Sequence, residues 1–307
     1  MRSDKHRFPA AWFLAAALPL TLVGAAHAGL AEDVLAYVEA HREDVALVSY
    51  TATPDGDVDS ADPAVFHGAD SPRVLASSVK VSLVTAYARE VAAGRIDPEE
   101  AVSMTEWERY FDPFLDGGIH RESLLDLGIA CDEIGFALDP GATVPLDRLV
   151  AMVLEHSDNP GADLLLERVG ERRLRETFRA ARLLRQELPI SFVGLRLLVV
   201  NHEIGVATTG RLRELAGLSR GELRSRARAW ARRYAEDQAF RLAEWQWWAT
   251  AAPEPPAGLL ARAVEETMPR GTAREYAALL ARAATGRLIS PAISEIVLSH
   301  LSWPLEN

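Results

Sequence analysis

A chain of 307 residues, 49% hydrophobic and 25% charged, with a mean hydropathy of -0.02, has the composition of a globular protein with a large core. That excludes a disordered chain, a collagen-like repeat and a multi-span membrane protein. Its 44 acidic and 33 basic residues leave a formal charge of -11, which argues against a nucleic-acid binder.

The first 28 residues read as an export signal. Arg2, Lys5 and Arg7 make a basic start, residues 10–23 are mostly apolar, and Ala26-His27-Ala28 supplies the small residues of a cleavage site. The apolar run is shorter than the ~20 residues of a spanning helix and is broken by Pro19, so cleavage rather than anchoring is expected. No Cys follows the run, which argues against a lipid anchor. The expectation is a secreted or periplasmic protein, residues 29–307, with no membrane association after cleavage. Cys131 is the only cysteine, so no intrachain disulfide can form. Flanked by Ile129, Ala130 and Ile134, it reads as a small core residue.

Further along, residues 30–41 carry Leu30, Val34, Leu35 and Val38 on one helical face. Residues 45–51 form an apolar strand, a Pro54-Asp55-Gly56-Asp57 turn follows, and residues 64–68 are a partner strand. Ser77-Ser78-Val79-Lys80 then opens a helix with Val79, Leu83, Val84, Tyr87 and Val91 at helical spacing, closed by Gly94. From there the pattern is mainly helical, without repeats or a low-complexity linker. Two short strands ahead of a helical body predict one α+β domain that is short of strands.

Ser77 and Lys80, spaced i and i+3, fall on one helix face, where an amine can reach a hydroxyl and the helix N-terminus favours negative charge on it. Of 33 basic residues 31 are Arg, and Lys80 is the only lysine beyond the signal. A site that needs an amine able to lose its proton would keep lysine, because arginine cannot do so. A simpler reading makes Ser77 an N-cap and Lys80 a solvated first-turn residue. Downstream, an apolar stripe of Leu146, Leu149, Val150, Val153 and Leu154 ends at Ser157-Asp158-Asn159-Pro160, before a helix over 161–169 closed by Gly170. Asp158 or Asn159 as cap and Pro160 in the first turn would explain that triplet locally. S-x-x-K followed by S-D-N is nonetheless the paired motif of serine acyl enzymes.

With these motifs, residues 73–80 and 88–97 resemble the nucleophile helix of class A β-lactamase-like serine hydrolases. Residues 154–170 resemble their S-D-N helix, and 272–276 through 288–291 a later helix pair. The resemblance runs from about residue 30 to 304 and is poor over about 190–256. It implies the β-lactamase/transpeptidase-like fold, an antiparallel sheet plus a helical subdomain, working without metal or cofactor. It also implies that Ser77 is the acylated nucleophile, Lys80 its base or proton relay and Ser157 a proton shuttle to the leaving nitrogen. Asn159 would hold the substrate's side-chain amide. The expected partner is a small β-lactam or peptidoglycan fragment, met by a monomer. A non-catalytic relic or binding module of the same fold is the alternative.

The chain departs from the family pattern twice. No K-T-G strand follows the last helix pair, so the sheet is expected to be incomplete at the C-terminus and the oxyanion hole to lack a donor, a loss on the order of 10² to 10³ in rate. Nor does a Glu with an Asn four residues on suit the family's water-holding loop; Glu203, beside Asn201 and His202, is the nearest substitute, but it reads better as a solvated loop Glu. Among rival motifs, Gly217-Leu218-Ser219-Arg220-Gly221 matches G-x-S-x-G but follows a helix, so Ser219 with Glu222 reads as a capping box. The Arg-rich stretch 223–248, with Trp230, Trp245, Trp247 and Trp248, reads as packed amphipathic helix rather than a nucleic-acid surface. The histidines show no metal-ligand spacing.

Overall fold

The structure is a computed structural model that describes residues 27–114, 116–250 and 258–302. Most of the signal-like segment, residues 1–26, lies outside them. In chain order come α1 (His27–Ala40), β1 (Leu47–Ser49), β2 (Val65–His67), β3 (Arg73–Val74), a 3-10 turn (Ala76–Ser78), α2 (Val79–Ala92), β4 (Ala101–Ser103), α3 (Met104–Glu108), α4 (Ile119–Asp126), β5 (Thr143–Pro145) and α5 (Leu146–Glu155). The helical body continues with α6 (Asn159–Val169), α7 (Glu171–Ala180), α8 (Phe192–Val199), α9 (Thr209–Ala216), α10 (Arg220–Glu236), α11 (Gln238–Thr250) and α12 (Leu259–Thr267). The short β6 (Arg270–Gly271), α13 (Ala273–Ala284) and α14 (Pro291–Leu301) complete it. None of the described helices is long and apolar enough to cross a membrane.

The architecture is α+β, as the motif order implies. The expected hairpin forms, with Leu47 opposite His67 and Ser49 opposite Val65 in antiparallel register. Two further antiparallel pairs, β3 with β6 and β4 with β5, join segments distant in sequence. Among the described residues no third strand joins any of these pairs, and Leu47, Val65 and Phe66 of the hairpin stay more than a third exposed. The β3–β6 pair bears directly on the site, because β3 leads into the turn that carries Ser77.

Helix α2 lies at the centre, packed against α5, α6, α7 and α14. Its Leu83, Val84, Ala86, Tyr87 and Ala88 are essentially inaccessible, and the α5 stripe of Leu146, Leu149, Val150 and Val153 is fully buried against the same core. Truncating such a residue to Ala costs roughly 2–5 kcal/mol, so the position of α2, and of the residues it presents, is strongly determined. Cys131 is half-buried at the edge of this core, not inside it, bridging to Ala137.

A second core joins α8, α9, α10 and α12 through Leu195, Leu198, Leu212, Leu215, Leu223 and Leu259. Here α8 and α10 approach backbone to backbone: a Cβ on Gly194 would lie 2.1 Å from the Ala227 carbonyl oxygen, so only glycine fits. Arg196 on α8 lies between Asp112, at 2.7 Å, and the wholly buried Glu244 of α11, which also accepts from the His202 amide at 2.8 Å. The Arg-rich stretch is two helices, parted at Asp237, whose carboxylate takes the Phe240 amide and starts the second. Its arginines pair with acids of neighbouring elements, Arg228 with Glu171 and Arg233 with Glu203, and Trp230 and Trp245 pack on the core. Ser219 and Glu222 form the expected capping box of α10.

Candidate active site

Two backbone irregularities mark the site. Ala76 (φ +45°) and Ser157 (φ +64°) are non-glycine residues in the left-handed region, which costs of order 1–3 kcal/mol each and persists only where the surroundings over-determine it. The first lies in the 3-10 turn that delivers Ser77 to the N-terminus of α2; the second opens the S-D-N turn between α5 and α6. Ser77 is exposed, and no side chain caps either the 3-10 turn or α2. Its hydroxyl is therefore not consumed by capping, and it sits where the helix end favours an oxyanion. The turn is held from behind: the Ser78 hydroxyl donates to the Leu75 carbonyl, the Tyr276 hydroxyl donates to the Ser78 carbonyl at 3.0 Å, and the Leu75 amide donates to the Pro269 carbonyl at 2.9 Å.

Lys80, one turn on, is not a solvated first-turn residue. It is 1% exposed, and its ammonium spans to the S-D-N turn. It donates to the Ser157 carbonyl, to Ser157 Oγ at 3.0 Å and to Asn159 Oδ1 at 2.7 Å, which uses all three of its protons. The Phe192 ring covers it, with Nζ 4.6 Å from the centroid. Burial lowers its pKa from the ordinary 10.5 to about 8, and the opposing pull of Asp158, Asp163 and Asp116 limits the fall. About a tenth of the amine is then neutral at pH 7, against roughly one molecule in 2,500 for a free lysine.

The structure thus brings Lys80, Ser157 and Asn159 together. Among the described residues no hydrogen bond joins the Ser77 hydroxyl to Lys80 or Ser157, whereas the amine does reach Ser157 Oγ at 3.0 Å. An amine whose three protons are engaged has no lone pair to offer; only as the free base, with two protons left, can it accept one. Looser geometry of this kind is usual before a substrate binds.

Sequence reasoning missed the frame behind the turn. Asp158 does cap α6, taking the Gly161 amide at 2.6 Å, and Pro160 occupies the first turn, so the local explanation also holds. The same carboxylate, wholly buried, accepts from Trp107 Nε1 at 3.0 Å and from His120 Nδ1 at 2.8 Å. Burial would raise the Asp158 pKa, but His120 and these donors outweigh it and hold the group below the usual carboxylate range. One turn along α6, Asp163 accepts from the Phe192 and Val193 amides at 2.7 and 2.9 Å and so sets the Phe192 ring over Lys80. Burial pushes Asp163 up to about 6 despite those amides. Its i+4 spacing from Asn159 was a legible signal; nothing local points to Trp107 or His120.

Neither Glu187 nor Glu203 is bound to Lys80. Glu203 pairs with Arg233, and Glu187 with Arg220 and the Arg270 amide. Asn201, wholly buried, holds the Glu203 and Ile204 amides in a tight turn. The nearest approach to a metal-ligand set among the described residues is Asp126, Glu155 and His156, on the surface behind Ser157.

A sequence profile described as the beta-lactamase enzyme family matches residues 36–303. No curated protein matches. Among solved structures, a beta-lactamase from Sphaerobacter thermophilus DSM 20745 is 17% identical, the match covering 89% of this chain and 68% of that one, with a TM-score of 0.46. PBP-A is 12% identical over 80% of this chain and 59% of its own, at a TM-score of 0.43. A PBP-A variant described as an acyl-enzyme complex with penicillin G is 12% identical over 91% and 70%, at 0.49.

Proposed function

The chain belongs to the beta-lactamase enzyme family, a family of serine hydrolases, and from that premise we propose that it is exported and cleaves a β-lactam or a peptidoglycan-like amide through an acyl-Ser77 intermediate. Neutral Lys80 takes the Ser77 proton as Oγ attacks the carbonyl carbon. The proton passes through the Ser157 hydroxyl to the leaving nitrogen as the C–N bond breaks. Asn159 gives its Oδ1 to Lys80, which leaves its amide N–H groups to bind a carbonyl of the substrate side chain. Water then attacks the acyl carbon and returns a proton to Ser77. The observation that carries this reading is the buried Lys80 amine joined at once to Ser157 and Asn159.

The second half of the cycle is expected to be slow, because the group lying against Lys80 from the 188–204 stretch is an aromatic ring and not a carboxylate. Mass measurement of the intact protein after exposure to a labelled penicillin tests the reading. An adduct that maps to Ser77 and disappears in Ser77→Ala supports it; the absence of any adduct leaves a binding module of the same fold.

A further inference from the structure

The S-D-N turn can present Ser157 and Asn159 to Lys80 only if Asp158, between them, is held in place, and that buried carboxylate is also a negative charge close behind the lysine. His120 meets both conditions. Its ring is wholly buried, donates Nδ1–H to Asp158 at 2.8 Å, and is clamped by Trp107 and Phe111 at centroid distances of 4.9 and 4.6 Å. Its backbone amide donates to Asp116 at 2.7 Å, at the start of α4. On the far side of the ring, Nε2 is 3.9 Å from Glu108 and has no hydrogen-bond partner among the described residues.

We propose that His120 is a positioning residue of this site: by holding the Asp158 carboxylate it fixes the S-D-N turn, and by its positive charge it offsets the pull of that carboxylate on the Lys80 ammonium. The inference rests on the acyl-Ser77 reading for its role in catalysis and on geometry for its charge balance. The groups that face the imidazole are Asp158 from the α6 cap, Glu108 from α3 and Asp116 from the loop before α4. Those that face Lys80 are Asp158, Asp163 and Asp116, with the Phe192 ring over it. Burial alone would discharge the imidazole, but Asp158, Glu108 and Asp116 outweigh it and hold its pKa at about 9, so it is charged at neutral pH. Asp116 is itself pushed up to about 7, first by burial and then by Asp158, and so carries only part of a charge there. Three acids around one lysine would raise its pKa and shrink the fraction that is neutral at pH 7. The buried imidazolium offsets part of the pull of Asp158, and burial, the largest influence on Lys80, brings its pKa down to about 8.

The test is an NMR titration of the full chain with carbon-13 lysine, the Lys80 signal being identified by its loss in Lys80→Arg. The wild-type midpoint is expected at about 8. In His120→Gln, which keeps a donor but no charge, the midpoint moves upward. In Trp107→Phe, which removes an uncharged donor from the same carboxylate, it stays close to 8. Each unit of upward shift lowers the neutral fraction at pH 7, and with it the rate of Ser77 acylation, about tenfold. An unmoved midpoint in a folded His120→Gln protein, or equal shifts in both variants, overturns the proposal. Should His120→Gln fail to fold, nitrogen-15 spectra of the unaltered protein decide: a protonated ring at pH 7 is expected, and a neutral one overturns the proposal. A shift in Lys80 with no labelling of wild-type Ser77 sinks the acyl-enzyme reading alone, whereas labelling without the shift sinks the role of His120 alone.

Discussion

Lys80→Met separates what the buried amine costs the fold from what it does in the site. Met is similar in length and carries no charge. In the folded protein the amine titrates at about 8, against 10.5 when ordinary. Between these values the unfolded chain binds more protons than the folded one, so wild-type stability rises with pH across that window. The missing stability is restored above 10.5 and lost again as pH falls through 8. At 1.36 kcal/mol per unit, the 2.5-unit gap is worth about 3 kcal/mol. Losing the bonds to Ser157 and Asn159 adds a constant to the Met variant and cancels in the pH dependence. The assay is urea unfolding of both proteins from pH 6 to 11. Wild-type stability minus that of Lys80→Met should climb by about 3 kcal/mol between pH 8 and 10.5, with the two tyrosine and arginine backgrounds cancelling. The wild-type rate of Ser77 acylation should show the same midpoint, rising tenfold per unit below it and vanishing in the variant. A flat stability difference, or an acylation rate independent of pH from 6 to 8, refutes a buried amine acting as the base.

Asp158→Asn leaves the His120 imidazolium buried without its partner, so stability in urea should fall by about 3 kcal/mol and Ser77 labelling should be lost; an unchanged midpoint would contradict the buried pair. Ser219→Ala removes the α10 cap at a cost of about 1 kcal/mol with labelling unaffected, and loss of labelling would instead revive G-x-S-x-G as the nucleophile motif. Hydrolysis of a chromogenic cephalosporin should be slow or undetectable. Multiple turnover near the ~10 s⁻¹ typical of enzymes would reveal another water-activating group. Secreted protein should begin at Gly29 by N-terminal sequencing, and a mature chain that retains Arg2 would rule out the export signal.

The parts of this fold legible in the sequence are those written in short spacings. The i, i+3 pair of Ser77 and Lys80, the S-D-N turn with Pro160, the capping box at Ser219 and the hairpin of residues 47–49 with 65–67 each need only a few neighbouring residues to be recognised. The pairs β3–β6 and β4–β5 were not legible, because a two- or three-residue strand carries too little alternation to signal itself and its partner lies far along the chain. The Asp237 break was hidden for a different reason: both flanking helices are built of good helix formers with Arg, Ala and Trp in each, and one Asp cap is a weak stop signal. His120 offered no signal, because a histidine 38 residues from Asp158 becomes its partner only when the tertiary fold brings the start of α4 to the N-cap of α6. Charge arithmetic reached further, since the survival of one lysine among arginines pointed to the residue that the structure buries.

The energetic features of the site help to decide between a working hydrolase and a relic. A chain relieved of selection for chemistry gains stability by replacing Lys80 with an apolar residue, since burial opposes its charge. It gains again by placing Gly at Ser157, where φ is +64°, and at Ala76, where it is +45°. Each change is a single substitution. This sequence has made none of them. It also retains Asp158 and His120, a buried ionic pair of the kind that well-packed apolar residues often replace without loss. The buried Lys80, the left-handed Ala76 and Ser157 and the Asp158–His120 pair are departures from the most stable choice gathered at one place, as expected of a protein that needs an amine of lowered pKa beside Ser157. The exposed Ser77 hydroxyl, uncommitted to any cap, is the group such an amine would serve.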